Sequence, residues 1–210
     1  MNRVDDMAYF KRLLHNFIGR VNIPKSIVER EEKILLHVSD TPSTFYRSLE
    51  ILIKEIAPEY IVHTGDVADE IKLGIYPLRV FLYEKKAKRL VDILESSDAD
   101  EILIALGNHD SPEILRKLSS RSKIFDAESA VIENLKFNIS HYDSTDFDDC
   151  AAYHLYGHDL SGKSRFDGLT RHLNGICAIH VIFLGSGEVV ELQYPNGVDD
   201  SRQGKVRMGT

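Results

Sequence analysis

Glu101-Ile-Leu-Ile-Ala-Leu-Gly107-Asn108-His109-Asp110 is the stretch whose reading decides the fold. Its first part is almost wholly apolar and has no helical period. That predicts a short strand buried on both faces of a sheet. The strand stops abruptly at an amide, an imidazole and a carboxylate, and open α/β sheets hold ligands at such strand ends. Asn108 offers a carbonyl oxygen to a cation, and His109 can move a proton. Asp110 can hold the ring's other nitrogen and fix its tautomer. The same residues also fit a plain turn, with Asp110 or Ser111 capping a helix that starts at Pro112.

Two more strand ends share the pattern. Lys33-Ile-Leu-Leu-His-Val-Ser39 runs into Asp40, and Tyr60-Ile-Val-His63 runs into Thr64-Gly65-Asp66-Val-Ala-Asp69. A helical stretch follows each, and right-handed βαβ connections set such ends side by side. Asp40, Asp66 and Asn108 then converge on one point. Later in the chain His141 closes a run that begins at Lys136, and Gly157-His158 follows another. In this order the blocks at Asp40, Gly65-Asp66, Gly107-Asn108-His109-Asp110, His141 and Gly157-His158 resemble the calcineurin-like metallophosphoesterase superfamily. The resemblance implies an α/β (α+β) fold, a four-layer αββα sandwich of two mixed sheets. It also implies a two-metal site and hydrolysis of phosphate mono- or diesters.

The resemblance assigns ligands residue by residue. One set is complete: Asp66, Asn108, His141 and His158, which suit a borderline divalent ion such as Mn²⁺, Fe²⁺ or Zn²⁺. The other set keeps Asp40 and the shared Asp66 but has Pro42 and Leu160 where two histidines are expected. Neither side chain can donate to a metal. Two carboxylates and water hold Mg²⁺ or Mn²⁺ only loosely, so the expectation is one tight metal site, with Mn²⁺ favoured, and a weak or absent second. The resemblance makes His109 the general acid or a donor to the phosphoryl oxygens, oriented by Asp110. Lys163 and Arg165, in the loop after His158, are candidates for a substrate phosphate. His37 and His63 lie inside strands, where structural roles fit best. Three readings follow: a phosphoesterase with an altered metal site, diester slightly favoured; a degenerate relative that serves as a protein-binding scaffold; and a module that binds nucleotide or phosphate without turnover.

The rest of the chain bounds these readings. The 210 residues are 43% hydrophobic and 28% charged, enough for one domain with a real core. A net charge of −7 argues against a general nucleic-acid or anionic-membrane binder; the resemblance implies a small phosphate ester or nucleotide as the partner. Two cysteines make no disulfide scaffold and no zinc spacing, and no apolar run is long enough to span a membrane, so a cytoplasmic setting is expected. Residues 1–32 read as an N-terminal helical extension, with Met7, Phe10, Leu14, Phe17 and Ile18 at helical spacing as a packing, oligomer or partner contact. Residues 33–194 form the metallophosphoesterase-like domain. Residues 195–210 are polar, lack periodicity and read as a disordered tail. Alternating strands and helices up to about residue 125 predict a parallel sheet, and the β-rich remainder predicts the second sheet.

Overall fold

A computed structural model describes residues 19–147 and 150–203. The amphipathic helix expected over residues 5–18 lies outside them. Four strands, β1 (Ile34–Val38), β2 (Tyr60–His63), β3 (Glu101–Ala105) and β4 (Ser122–Phe125), run parallel in that spatial order. Helices connect them: α2 (Tyr46–Ile56), α3 (Val80–Glu95) and α4 (Pro112–Leu118), with a short α1 (Lys25–Val28) ahead of β1. The expected signals place these elements. The apolar face of α2 is buried through Leu49, Leu52, Ile53 and Ile56, and the helix ends at Ala57 in the left-handed region, before Pro58. Ser111 caps α4 and Pro112 occupies its first turn. β4 was not foreseen; its pattern is short and only half-buried.

The second sheet holds β5 (Ala127–Ile132), β6 (Leu135–Ser140), β7 (Tyr153–Tyr156), β9 (Arg171–Asn174) and the short β8 (Arg165–Phe166), in the order β5-β6-β7-β9-β8. β6, β7 and β9 are parallel and the two edge strands antiparallel, so this sheet is mixed too. The β-rich half does not all go there. β10 (Ile179–Phe183) and β11 (Val189–Leu192) return to the first sheet, in the order β11-β10-β1. The reason is burial: every residue of β10 is buried, and a place between β1 and β11 covers both of its faces.

Two cores result. Alternate residues of the first sheet, such as Leu36, Val38, Ile102 and Val181, face the helices. The others, such as Leu35, Val62, Leu103 and Ile182, meet Phe137, Ile139, Tyr153 and Leu155 of the second sheet. All five helices of the described residues send their buried apolar side chains to the first of these cores. On the second sheet's far face Asn138, Ser140 and His154 are buried polar residues, and the Phe147 ring of the following loop packs on His154.

The tail expectation is corrected over residues 195–203. Val198–Arg202 form helix α5, and Arg202 is 2% exposed. Its guanidinium donates to the backbone oxygens of Asp40 at 2.7 Å, Ile176 at 2.6 Å and Ser39 at 3.1 Å. A charged anchor gives no hydrophobic signal, so the segment reads as loose in the sequence. Among the described residues no helix is long and apolar enough to cross a membrane.

Candidate metal centre

The three strand ends of the first sheet do meet. The N–H of Asp40 donates to Gly65 O at 2.9 Å and that of Thr41 to Asp66 O at 3.0 Å, which ties the end of β1 to the end of β2. Asp66 and Gly107 then approach so closely that a Cβ on Gly107 would collide with the Asp66 carboxylate and backbone N. Only glycine fits there. Asp40, Asp66 and His158 all have φ in the left-handed region, at 48°, 56° and 72°. Non-glycine residues rarely adopt it, and it costs of order 1–2 kcal/mol.

From the second sheet, β6 delivers His141 and β7 delivers His158. Around His141 Nε2 lie Asn108 Oδ1 at 3.0 Å, His158 Nδ1 at 3.2 Å and Asp66 Oδ2 at 3.6 Å. Atoms bound at ~2.1 Å to one ion stand about 3–3.5 Å apart. His141 Nδ1 lies 2.7 Å from Thr64 O, which can only accept, so Nδ1 carries the proton and Nε2 presents a lone pair. That lone pair faces the Asn108 carbonyl oxygen with no hydrogen between them. An imidazole lone pair and a carbonyl oxygen at this distance can share a cation, so the residues present fit a metal ion. Asp40 sits beside this group: its Oδ2 accepts from Ser39 Oγ at 2.5 Å and from the His158 N–H at 3.0 Å. Asp40, Asp66 and His141 present donor atoms within 4.8 Å of one another.

The charges agree. Burial, helped by the charges of Asp40, Asp110 and Asp69, pushes the Asp66 carboxyl well above its ordinary range. Burial lowers the His158 imidazole, with a further contribution from His141. Burial and the Lys72 charge hold His109 down to about 4. A group of buried carboxylates and neutral imidazoles is what a divalent ion stabilises.

Asp110 is not where the expectation put it. Its carboxylate accepts from the N–H groups of Asp66 at 2.8 Å, Gly107 at 2.9 Å and Val67 at 3.0 Å, and from Tyr83 Oη at 2.9 Å. It holds the loops beneath the site, and its carboxylate bonds these four donors and not the His109 ring. His37 and His63 are used structurally. His37 bonds His180 at 3.2 Å and Thr64 Oγ1 at 3.0 Å, and His63 bonds Thr41 Oγ1 at 2.7 Å and the Gly65 N–H at 3.2 Å. Arg165 pairs with both oxygens of Asp143, at 2.7 and 3.1 Å. Lys163 and Arg165 line a neighbouring cavity of about 430 Å³ that touches the site at His158. The larger cleft, about 700 Å³, opens over Asp40, Asp66, His109 and His158, and its wall carries Lys72, Tyr76 and Arg79. Those three carry no signal in the sequence beyond their charge or ring.

The family model described as calcineurin-like phosphoesterase matches residues 34–188. The chain belongs to the calcineurin-like phosphoesterase family. Membership carries metal-dependent hydrolysis of phosphate esters, and the ligand group above is what such chemistry needs. Among solved structures, this calcineurin-like phosphoesterase is similar to an archaeal phosphodiesterase, at 19% identity and a TM-score of 0.51 over 75% of this chain and 98% of that one. It is also similar to Yfce, a phosphoesterase from E. coli, at 15% identity and a TM-score of 0.51 over 78% of this chain and 100% of that one. At such identities the likeness concerns the fold. No curated protein matches the sequence.

Proposed function

We propose that this phosphoesterase hydrolyses a small phosphodiester, with one divalent ion, Mn²⁺ by preference, held firmly by Asp66, Asn108, His141 and His158. One observation carries the reading: the His141 Nε2 lone pair and Asn108 Oδ1, both acceptors, face each other at 3.0 Å. When bound, the ion supplies positive charge to the phosphoryl oxygens and a water acidic enough to ionise near neutral pH. The chain's own groups do the remainder. His109, neutral at pH 7, offers an N–H to a phosphoryl or leaving oxygen. Lys72 and Arg79 on the cleft wall attract and orient the phosphate. Ile75 and Tyr76 beside them are 61% and 48% exposed, and Arg79 stacks on Tyr76 with 4.1 Å from guanidinium to ring. That half-apolar wall has room for a second ester substituent, which favours a diester over a monoester.

The test is turnover of bis(p-nitrophenyl) phosphate and p-nitrophenyl phosphate in excess Mn²⁺. The expected result is faster turnover of the diester, stopped by chelator. His141→Ala should lose both the ion and the activity. His109→Ala should keep the firmly held ion and lose about 10²-fold in turnover. Metal-loaded protein that is inert on both esters, or that prefers the monoester, would overturn the proposal.

A further inference from the structure

We propose that Asp143, His154 and His172 form a Zn²⁺ site on the far face of the second sheet, apart from the strand ends of the first. The proposal goes beyond the phosphoesterase reading and does not rest on it.

The sheet itself assembles the group. His154 of β7 stands opposite His172 of β9 in register, and Arg165 of β8 stands opposite His172 from the other side. Directly opposed residues share a face, here the one on which Ser140 and His154 are buried. Asp143 reaches the two rings from the segment after β6: its Oδ1 lies 3.1 Å from His172 Nδ1 and 3.9 Å from His154 Nδ1. Asp143, His154 and His172 each present a donor atom within 4.8 Å of the others.

Both rings are already turned for a metal. Ser140 Oγ gives its one hydrogen to Tyr142 O at 2.8 Å, so it accepts from His154 Nε2, also at 2.8 Å. His172 Nε2 lies 2.9 Å from Asp167 Oδ2, which can only accept. Asp167 is itself fixed, because its Oδ1 takes the N–H groups of Leu169 at 2.9 Å and Thr170 at 2.8 Å. Each Nε2 therefore carries a proton, and each Nδ1 faces the carboxylate. A hydroxyl or carboxylate on the outer nitrogen is how proteins orient an imidazole that binds metal.

The place also draws positive charge. Arg165 Nη2 stands 3.1 Å from both Asp143 Oδ1 and His172 Nδ1. A guanidinium only donates, so both of these atoms accept. The Arg165 side chain is 47% exposed and can swing out to solvent, which makes it a competitor that an ion displaces. Two imidazoles and one carboxylate, with water in the fourth position, are a Zn²⁺ set, and Zn²⁺ outranks Mn²⁺ at such donors.

The experiment counts zinc. The protein is equilibrated with Zn²⁺, freed of unbound metal by gel filtration and measured by elemental analysis. His172→Gln and Asp143→Ala should each hold one Zn²⁺ fewer per chain than the parent. His141→Ala, which removes the firmly held ion of the first site, should lose one more Zn²⁺ when His172→Gln is added, which tells the two sites apart. Arg165→Gln should bind the outer ion several-fold more tightly, because its competitor is gone. Phosphodiester turnover in Mn²⁺ should be the same in His172→Gln as in the parent. If His172→Gln does not fold by circular dichroism, Asp143→Ala, at a more exposed position, carries the count alone and in the His141→Ala background. Equal zinc counts in the parent and Asp143→Ala overturn the proposal, as does weaker zinc binding in Arg165→Gln.

Discussion

Asp110 shows how much one side chain can hold. Three backbone N–H groups and the Tyr83 hydroxyl converge on its carboxylate, so it binds the loop after β2 to the loop after β3 and to α3. Burial pushes its carboxyl up, while those donors pull the other way. Asp110→Ala leaves four donors without an acceptor, and at 1–3 kcal/mol for a bared buried group the loss should be roughly 3–5 kcal/mol. Tyr83→Phe removes a single donor and should cost about 1 kcal/mol. Urea unfolding of the two variants checks the ratio; equal losses would mean that the carboxylate does not hold the loops. The sequence made Asp110 visible but not its task. Adjacency to His109 suggested an orienting role, whereas its partners Asp66, Val67 and Tyr83 lie far away in the chain. The five residues that meet at the strand ends were legible because each follows an apolar run. Asp69 lines the cleft with no sequence signal of its own, since only a 3₁₀ turn brings it back to the site.

At the scale of the element, α5 is a five-residue helix joined to the site by one side chain. Arg202 stacks on Tyr194 at 4.1 Å and closes three backbone oxygens around the first strand end. Arg202→Met keeps the bulk and removes every donor. Its expected cost is about 2–4 kcal/mol, because buried carbonyls lose charged partners. It should also weaken Mn²⁺ binding, since Asp40 sits on the loosened turn. Asp199, the exposed partner of Arg202 at 2.7 Å, is the control: Asp199→Asn should cost under about 1 kcal/mol. Unfolding midpoints and Mn²⁺ titration together decide it, and an Arg202→Met protein as stable as the parent would reduce α5 to a passenger. Elements built on apolar periodicity, α2 and β1 to β3, were readable in the sequence. α5 was not, because its anchor is a cation, and β8 was not, because two residues carry no period.

For the whole molecule, acid is the informative perturbation. His37 and His63 are fully buried at the centre of the first sheet. Burial first, then neighbouring cationic or imidazole groups, lowers His37 well below its usual value of 6.5 and His63 from 6.5 to about 3. The unfolded chain takes up protons below pH 6.5 that the fold refuses. Their contribution to stability is therefore level above about pH 7 and falls as pH drops through 6.5, by roughly 1.4 kcal/mol per pH unit for each fully refused proton, while the raised carboxyls of Asp66 and Asp69 act in the opposite sense. Urea midpoints of the parent and of a His63→Gln variant at pH 7.5, 6.5 and 5.5 isolate it: the parent should lose more on acidification, and parallel profiles would count against it. The division into two sheets was legible from the switch in pattern near residue 125. The return of β10 and β11 was not, because an apolar run fits the middle of either sheet. That return also sets a timetable. β1 pairs with β2 on one edge and with β10 on the other, so Ile34 and its neighbours find their second partner only when Ile182 and Phe183 have left the ribosome. Until then a strand with apolar faces stands with one row of amides bare, an invitation to the wrong neighbour. The site inherits the delay: Asp40 hangs from the end of that strand, and its turn settles only once β10 is in place.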